Sequence, residues 1–245
     1  MLSYLHSFHA GCMADVHKHT LLIRMIEGLK ADGKPLNVID THAGRGVYDL
    51  TSDHSQKTGE AGHGILKLME EDLEILNPIK KLIGKLKPNH YPGSPKIIQM
   101  LTGKEDTIHL FERHSNEFKQ LKNRFNLDSR IKFYETNSFM SASFGLSKDA
   151  QNLIMIDPSY ELKNEYADVL DTVERLLKSS PNAVIMLWIP HLPKNYHVNL
   201  IEQLEADGKA KLSTFEFAPM NERSMYASTV AVWNAPEGID LNFSL

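Results

Sequence analysis

The residues with the clearest chemical potential in this chain are Asp157, Pro158, Ser159 and Tyr160, which follow an apolar run at 153–156. The Asp157 carboxylate and the Pro158 carbonyl provide two adjacent hydrogen-bond acceptors, and the proline ring helps to hold that carbonyl in extended backbone. Two acceptors suit an exocyclic amine, because each takes one N–H and both stabilise the charge that develops when the nitrogen attacks. Tyr160 offers a ring on which an unpaired base can stack, a contact of about 1–3 kcal/mol. The alternative is structural: Asp157 caps a turn and Tyr160 packs.

A glycine loop follows an earlier predicted strand and indicates a cofactor site. Asp40 ends that strand, and Gly44 and Gly46 let the backbone turn sharply and approach a ligand closely. A dinucleotide loop would have a third glycine where this chain has Asp49. An S-adenosylmethionine site requires instead an acid at the end of the next strand, to bind the ribose hydroxyls, and Glu112 is the candidate. S-adenosylmethionine is therefore the favoured cofactor, and a tight turn without a ligand is the alternative.

Histidines are concentrated near the N-terminus but do not predict a metal site. The spacing of the first four fits neither a zinc finger nor an H-E-x-x-H pair. Two of them fall on different sides of a predicted helix, so at most one can line a cleft. No elbow sequence surrounds a serine or cysteine, so acyl transfer is not favoured. The four histidines are His6, His9, His17 and His19.

The elements that must position these residues are strands alternating with helices. This alternation predicts an α/β, Rossmann-like fold with a mostly parallel sheet covered by helices on both faces. The last two strands have no helix between them, so they should pair antiparallel at one edge. From Val47 to about Pro92 the strand pattern disappears. Ser115 is the predicted N-cap of the helix that is predicted at 115–125. Predicted strands are 34–40, 106–113, 130–138, 152–160, 182–190, 210–219 and 225–236; predicted helices are 14–30, 94–102, 115–125, 165–180 and 196–208. In such sheets ligands bind beyond the carboxyl ends of the strands, so the candidate residues should converge there.

The composition of the chain is that of an ordinary globular protein. Of its 245 residues 42% are hydrophobic and 24% are charged, and the net charge of −4 requires any nucleic-acid surface to be local. No apolar run is long enough for a membrane span, and the N-terminus does not resemble a secretory signal. Cys12 is the single cysteine, which fits a reducing compartment, so a cytoplasmic location is expected. Four lysines between residues 80 and 87 are a candidate for such a nucleic-acid surface, with a solvated helix face as the favoured interpretation.

Six segments together resemble the RlmJ family of bacterial 23S ribosomal-RNA adenine-N6 methyltransferases. These are "MLSYLHSFHAG", "ADVHKHT", "DTHAGRGVYDL", "KTGEAGHGI", "YPGSP" and "IDPSYELKNEY". The likeness runs from Met1 to about Tyr166 and more thinly to "WNAP". It implies a class I methyltransferase fold, a single domain over 1–245, with a small helical insertion at about 48–91.

The resemblance also implies roles for individual residues. Asp157 would be the catalytic acceptor and would also lie at the cofactor. Further S-adenosylmethionine contacts would come from His19, His42, Ser94, Glu112, Asn137 and Ser138. Tyr4 would meet the RNA, with help from His6 and Lys18. Ribosomal RNA is the implied partner, no metal or membrane is implied, and a monomer is plausible.

The chain departs from the family at three places. Ser159 replaces the second proline of the usual D-P-P-Y tetrad, Asn137-Ser138 stands where Asp-Gly is common, and the C-terminal end is short. None of these changes removes a group that the chemistry needs. Two other functions remain open: methylation of adenine in DNA, and binding of nucleic acid without transfer, in the use of external DNA.

Overall fold

Residues 4–136 and 138–245 are described by a computed structural model. Its strands are β1 (Leu36–Asp40), β2 (Val47–Asp49), β3 (His90–Pro92), β4 (Thr107–Phe111), β5 (Ile131–Tyr134), β6 (Gln151–Ile156), β7 (Val184–His191), β8 (Ala210–Glu216) and β9 (Ala227–Trp233). Its α-helices are α1 (Met13–Ala31), α2 (Asp53–Thr58), α3 (Glu60–His63), α4 (Ile65–Leu68), α5 (Asn77–Ile83), α6 (Ser94–Leu101), α7 (Ser115–Phe125), α8 (Ser138–Ser141), α9 (Glu165–Ser179) and α10 (His197–Asp207). Short 3-10 helices occupy His6–Phe8, Glu74–Leu76 and Ala142–Gly145.

Seven of these strands form one sheet in the order β5-β4-β1-β6-β7-β9-β8. The first five are parallel to one another, whereas β9 is antiparallel to both of its neighbours, β7 and β8. The predicted fold class is therefore confirmed, including the antiparallel pairing of the last two strands. In this order β9 inserts between β7 and β8, so β8 is the edge strand.

Burial along the strands explains this arrangement. All the residues of β1 and β9 are buried, and β6 and β7 are exposed only in part at one terminal residue each. Such continuous apolar runs suit strands that are covered on both faces. The edge strand β8 instead mixes buried and exposed positions, as a strand with one solvated face does.

Helix α1 is the most deeply enclosed helix next to the sheet. It buries apolar residues together with four polar ones that matter below: Asp15, His17, Lys18 and His19. The helix ends at Ala31, and Gly33 follows with a positive φ of 69°. Buried charges on a helix must be paired, so α1 brings an ion-pair network into the protein interior.

Some features of the fold were not predicted from the sequence, among them one pair of short strands. β2 and β3 form an antiparallel pair that joins Val47 to Pro92 and Asp49 to His90, at the two ends of the segment that carries α2 to α5. Strands of three residues are too short to show an alternating pattern. The predicted cap at Ser115 is wrong: His114 occupies the N-cap position, and Ser115 is already the first residue of α7.

Backbone hydrogen bonds tie the carboxyl ends of the parallel strands together. The Thr41 amide donates to the Met155 carbonyl at 3.0 Å, and the Ala43 amide donates to the Phe111 carbonyl at 2.9 Å. The Glu112 amide donates to the Tyr134 carbonyl at 3.0 Å. The loops after β1, β4 and β6 therefore meet at one edge of the sheet, as predicted.

Candidate active site

Asp157 follows β6 directly and forms an ion pair with Lys18. The Lys18 Nζ lies 2.7 Å from Asp157 Oδ2, and the side chains are 3% and 11% exposed, respectively. The Lys18 ammonium also lies 4.6 Å from the centre of the Trp188 ring. Because both partners are largely removed from water, this contact is stronger than a surface ion pair.

A chain of polar contacts extends from Lys18 towards the N-terminus. Lys18 Nζ lies 2.9 Å from Asp15 Oδ1, and His6 Nε2 lies 3.0 Å from Asp15 Oδ2. The Tyr4 hydroxyl is 2.9 Å from His6 Nδ1. Burial alone would raise the pKa of Asp15, but His6 and Lys18 outweigh it and hold this pKa well below its usual range. Asp15 is therefore an anion between two basic groups.

The structure corrects the predicted surface role of Lys18. This residue is 2% exposed, and its ammonium group is engaged by the carboxylates of Asp15 and Asp157. Burial would lower the pKa of Lys18, but the carboxylates of Asp15 and Asp157 raise it above its ordinary value. Lys18 is therefore a permanently charged partner of Asp157 rather than a phosphate contact.

The structure also corrects the predicted stacking role of Tyr160. Its side chain is 7% exposed, and its hydroxyl donates to the Trp188 carbonyl at 2.7 Å. The ring packs against Tyr166, with centroids 4.4 Å apart. Tyr160 has a positive φ of 53°, which turns the chain immediately after Ser159. The ring thus anchors the tetrad in the core and offers no free face to a base.

The glycine loop is fastened to the acid at the end of β4. The Gly44 amide donates to Glu112 Oε2 at 2.8 Å, and the His114 amide donates to Glu112 Oε1 at 2.6 Å. Burial raises the pKa of Glu112 although these amides oppose the rise. Gly44 has a φ of 57° and Gly46 a φ of 80°, both in the left-handed region. The loop therefore needs glycine at both positions.

Asp40 lies beneath this loop and is fully buried. Its Oδ1 accepts from the His42 amide at 3.2 Å, whereas Oδ2 has no hydrogen-bond partner among the described residues. Burial raises the pKa of Asp40 to about 7, although the Ser94 side chain and the His42 amide act in the opposite direction. The Ser94 side chain and the His42 amide therefore hold the Asp40 carboxyl group in place beneath the loop.

Two histidines of the site are neutral. His19 Nδ1 lies 2.8 Å from the Tyr91 hydroxyl, and burial lowers the pKa of His19 to about 3. His42 Nδ1 lies 2.8 Å from the Thr41 hydroxyl, and burial also lowers the pKa of His42 to about 3. His17, on another side of α1, contacts the hydroxyls of Ser213 and Ser228 in the core. Only one of these two α1 histidines reaches the cleft, as predicted.

The cleft at this edge of the sheet, called the cofactor cleft below, brings together most of the predicted site residues. They are Tyr4, His6, His19, His42, Gly44, Ser94, Glu112, Ser138, Asp157 and Pro158. Asp40 and Gly46 support its loop from behind, and Lys18 and Tyr160 do not line it. Asn137 lies outside the described residues.

Several residues at the site were missed by the sequence reasoning. Tyr48, Phe139 and Glu161 line the cofactor cleft, and Glu161 Oε1 accepts from the Tyr4 amide at 2.9 Å. Asp15 organises His6 and Lys18 without lining this cleft. Only Asp15 had a usable signal, because it lies three residues before Lys18 on one helix face.

The residues of the cofactor cleft fit S-adenosylmethionine as a group. Glu112 lines the cleft with a carboxylate that can accept hydrogen bonds from hydroxyl groups, beside the backbone of the glycine loop. A Cβ at Gly44 would come within 2.3 Å of the Tyr48 hydroxyl, so a side chain at this position would require Tyr48 to move. Within residues 4–136 and 138–245 no group of three metal-binding side chains is found, and no helix has the length and apolarity of a membrane span.

Comparison with known proteins gives consistent matches. Residues 33–244 match the family described as "Ribosomal RNA large subunit methyltransferase D, RlmJ". The "Ribosomal RNA large subunit methyltransferase J" of Escherichia coli strain K12 is 36% identical over 246 residues, covering 96% of this chain and 88% of the relative. The protein of the same name from Haemophilus influenzae is 36% identical over 247 residues with the same coverage. A crystal structure from Legionella pneumophila has a TM-score of 0.84 and 26% identity, covering 93% of this chain and 87% of that one.

Proposed function

Because the chain belongs to the RlmJ family of large-subunit ribosomal RNA methyltransferases, we propose that it methylates the N6 amine of an adenine in 23S ribosomal RNA. S-adenosylmethionine is its cofactor and supplies the methyl group by in-line displacement at its sulfonium. The observation that carries the proposal is the arrangement of Asp157 and Pro158 in the same cleft as Gly44 and Glu112. Amine acceptors and cofactor-binding groups therefore face one space.

The acceptors act on the nitrogen of the base. Asp157 Oδ and the Pro158 carbonyl each accept one N–H of the amine, which draws its lone pair out of conjugation and stabilises the developing charge. Lys18 occupies Asp157 Oδ2 in this structure, so it must move away or share the carboxylate when the amine binds. The reaction is accelerated mainly by positioning, since no covalent adduct with the protein is required.

Cofactor binding is assigned to residues that surround the cofactor cleft. Glu112 binds the ribose, while Gly44 and Gly46 let the loop approach it. Asp40 supplies a buried carboxyl group beneath the loop. His19, His42, Ser94 and Ser138 complete the lining, and Asn137 remains a prediction from the sequence.

The organisation of the chain and its location are part of the proposal. Residues 1–245 form a single methyltransferase domain, and residues from about 48 to 91 form an insertion within it. Its helices α2 to α5 lie between the paired strands β2 and β3, which supports this division. Ribosomal RNA as the substrate implies a cytoplasmic protein.

The proposal is tested with tritiated S-adenosylmethionine and two separate substrates, deproteinised ribosomal RNA and genomic DNA. We expect label in RNA with the wild-type protein and none with Asp157→Ala. Asp171→Ala is the matched control, because Asp171 is an exposed acid on α9, and it should leave transfer unchanged. Label in DNA alone would refute the RNA assignment, and no label in either polymer would favour a binding protein without transfer activity.

A further inference from the structure

A second cavity, of about 660 Å³, adjoins the cofactor cleft. Tyr4, His6 and Ser159 line both spaces, so the two meet at the catalytic tetrad. The volume lies in the range of roughly 300–1,000 Å³ that ligand sites occupy. This cavity is called the outer cavity below.

The walls of the outer cavity come from four separate parts of the chain. They are the N-terminal segment with the start of α1, the helices α3 and α4, the end of β7, and the connection between β8 and β9. Most of its surface is apolar, from Met13, Trp188, Pro190, Leu192, Phe217, Met220 and Met225. Met220 is 41% exposed, and no described residue covers it fully.

The charges around the outer cavity leave an excess of cations. Its two carboxylates are already paired: Asp15 with Lys18 and His6, and Glu60 with His9 at 2.7 Å. Lys67 on α4 and Arg223 in the β8–β9 connection are exposed. Neither forms an ion pair with another residue of the described chain. In a protein with a net charge of −4, two such cations in the lining of one apolar cavity are a local feature.

We propose that the outer cavity binds the unpaired RNA strand that flanks the target adenine. Its apolar floor, with Phe217 as the aromatic platform, takes a flanking base. Lys67 and Arg223 bind phosphates from the insertion wall and the β8–β9 wall. This inference rests on the proposed function, because the strand must be covalently continuous with the adenine held at Asp157.

Single-stranded RNA fits the lining better than other occupants do. Unpaired bases stack on aromatic and apolar side chains while their phosphates meet cations, and the outer cavity combines both kinds of surface. A double helix would present its phosphates on a convex surface and leave the apolar floor empty. An acidic peptide would be attracted to Lys67 and Arg223, but nothing in its chemistry would require it to extend to Ser159.

The salt dependence of RNA binding tests the two phosphate contacts. Binding of a protein-free 23S RNA transcript is measured with S-adenosylhomocysteine present, for wild type, Lys67→Gln, Arg223→Gln and the double variant. Each lost contact should reduce the slope of log Kd against log salt concentration by about 0.7, and the double variant should lose about 1.4. Lys178→Gln, an exposed lysine on α9, is the matched control and should leave the slope unchanged.

The apolar floor is tested with a neutral change. Phe217→Ser should weaken RNA binding about fivefold or more through lost stacking while the salt slope stays at its wild-type value. Phe217→Tyr keeps a ring and should retain affinity. Met220→Ser, at an exposed position, gives a second neutral probe of the floor if Phe217→Ser fails to fold.

The possible results separate this inference from the proposed function. If wild type methylates RNA while the double variant keeps the wild-type salt slope, the outer cavity does not bind the strand and the inference is overturned. A wild-type protein that transfers no label to RNA overturns the proposed function instead. The inference and the proposed function are both supported if the double variant has a reduced salt slope and Phe217→Ser lowers RNA affinity without changing that slope.

Discussion

At the scale of single residues, the ion pair with Lys18 holds the carboxylate of Asp157, which is the proposed acceptor for the adenine amine. Asp157→Asn keeps the shape of the side chain but exchanges one acceptor oxygen for a donor. We expect its rate of methyl transfer to fall by about 10²–10³, as when a transition-state hydrogen bond is lost. Single-turnover methylation of 23S RNA is the measurement.

The Asp157→Asn variant also leaves Lys18 with Asp15 as its remaining anionic partner, so folding must be checked separately. The rise in melting temperature with S-adenosylhomocysteine should persist, because cofactor binding rests on Glu112 and the glycine loop. A variant that keeps both this rise and the wild-type rate would show that Asp157 is not the acceptor.

Ser159 is a departure from the family tetrad with a small expected effect. Pro158 still shapes the acceptor carbonyl, and the third position of the tetrad adds stiffness rather than a reacting group. Ser159→Pro should therefore leave turnover within about tenfold of wild type, since a compatible proline changes stability by only about 0.4–1 kcal/mol. Steady-state methylation measures this, and a loss comparable to that of Asp157→Asn would assign chemistry to the Ser159 hydroxyl.

Asp40 should make stability depend on pH. Its pKa is about 7 in the folded protein and 3.8 in the reference state, so between about pH 4 and pH 7 the folded form keeps a proton that the unfolded form has lost. Raising the pH through this window therefore lowers the free energy of unfolding. Asp40→Asn lacks this effect, and its melting temperature relative to wild type should rise by at least about 3 °C from pH 5 to pH 8.

The comparison with Asp40→Asn removes the contribution of other buried groups. The lowered pKa values of His17, His19 and His42 decrease stability as the pH falls below about 6.5, which is the opposite direction. Both proteins contain these histidines, so the difference between their melting curves isolates Asp40. A difference that is constant with pH would contradict the assignment.

Residue types alone could predict the acids of the site but not the state of Lys18 and Tyr160. Glu112 and Asp157 end apolar strands, and the end of a parallel strand fixes where such a side chain lies. Lys18 was expected to help contact the RNA on the strength of the family resemblance. Its burial depends on two carboxylates, one of them 139 positions away. The outward face predicted for Tyr160 likewise failed because its positive φ turns the ring into the core.

At the scale of elements, the loop between β1 and β2 is limited by the packing of α7 behind it. A Cβ at Gly46 would come within 2.4 Å of the Phe125 ring, in addition to the strain of a φ of 80°. Gly46→Ala should cost about 1–2 kcal/mol for the backbone and a further 1–3 kcal/mol for overpacking. Urea unfolding monitored by circular dichroism measures the total loss in the free energy of unfolding.

Gly59→Ala is the matched control for this loop. Gly59 has a φ of 69°, but a Cβ there meets nothing within 4 Å, so only the backbone cost applies. If Gly46→Ala and Gly59→Ala lower the free energy of unfolding equally, then the Phe125 ring moves aside without cost and the loop is not tightly packed.

Elements with a clear local apolar pattern could be predicted well, and those held mainly by distant contacts could not. The limits of α1, α7 and α10 follow from apolar spacing and from glycine or polar residues at their ends. β2 and β3 have three residues each and are held by pairing with each other across about 40 positions of chain, which leaves no local pattern. α8 was missed because its four residues, Ser138–Ser141, are too few to show helical spacing.

At the scale of the whole molecule, ligand binding at the sheet edge should stabilise the fold. A ligand that binds only the folded state at 100 times its Kd contributes about 2.7 kcal/mol. For a protein of this size, S-adenosylhomocysteine should raise the melting temperature by about 5–10 °C. Scanning fluorimetry with and without ligand measures the rise.

Glu112→Ala should reduce this stabilisation, since it removes both the ribose acceptor and the partner of the Gly44 amide. Glu105→Ala, an exposed acid in the loop before β4, is the control and should keep the full rise. No rise at saturating S-adenosylhomocysteine in wild type would contradict the assignment of this cofactor.

The sheet order was predictable only in part. Alternation of strands and helices indicates parallel neighbours, and the final pair without a helix indicates an antiparallel connection. The position of β9 between β7 and β8 depends on pairing across the whole chain, which local patterns do not encode. The outer cavity was unpredictable for the same reason, because its walls come from four parts of the chain that are distant in sequence.

The Lys18–Asp157 ion pair also has a consequence for the fate of the product. An unmodified adenine amine has two N–H groups and can satisfy both acceptors, whereas a monomethylated amine has one. The Lys18 ammonium is therefore a resident competitor for Asp157, and it competes more successfully after transfer than before. We expect this competition to speed dissociation of the modified base and to limit each adenine to a single methyl group.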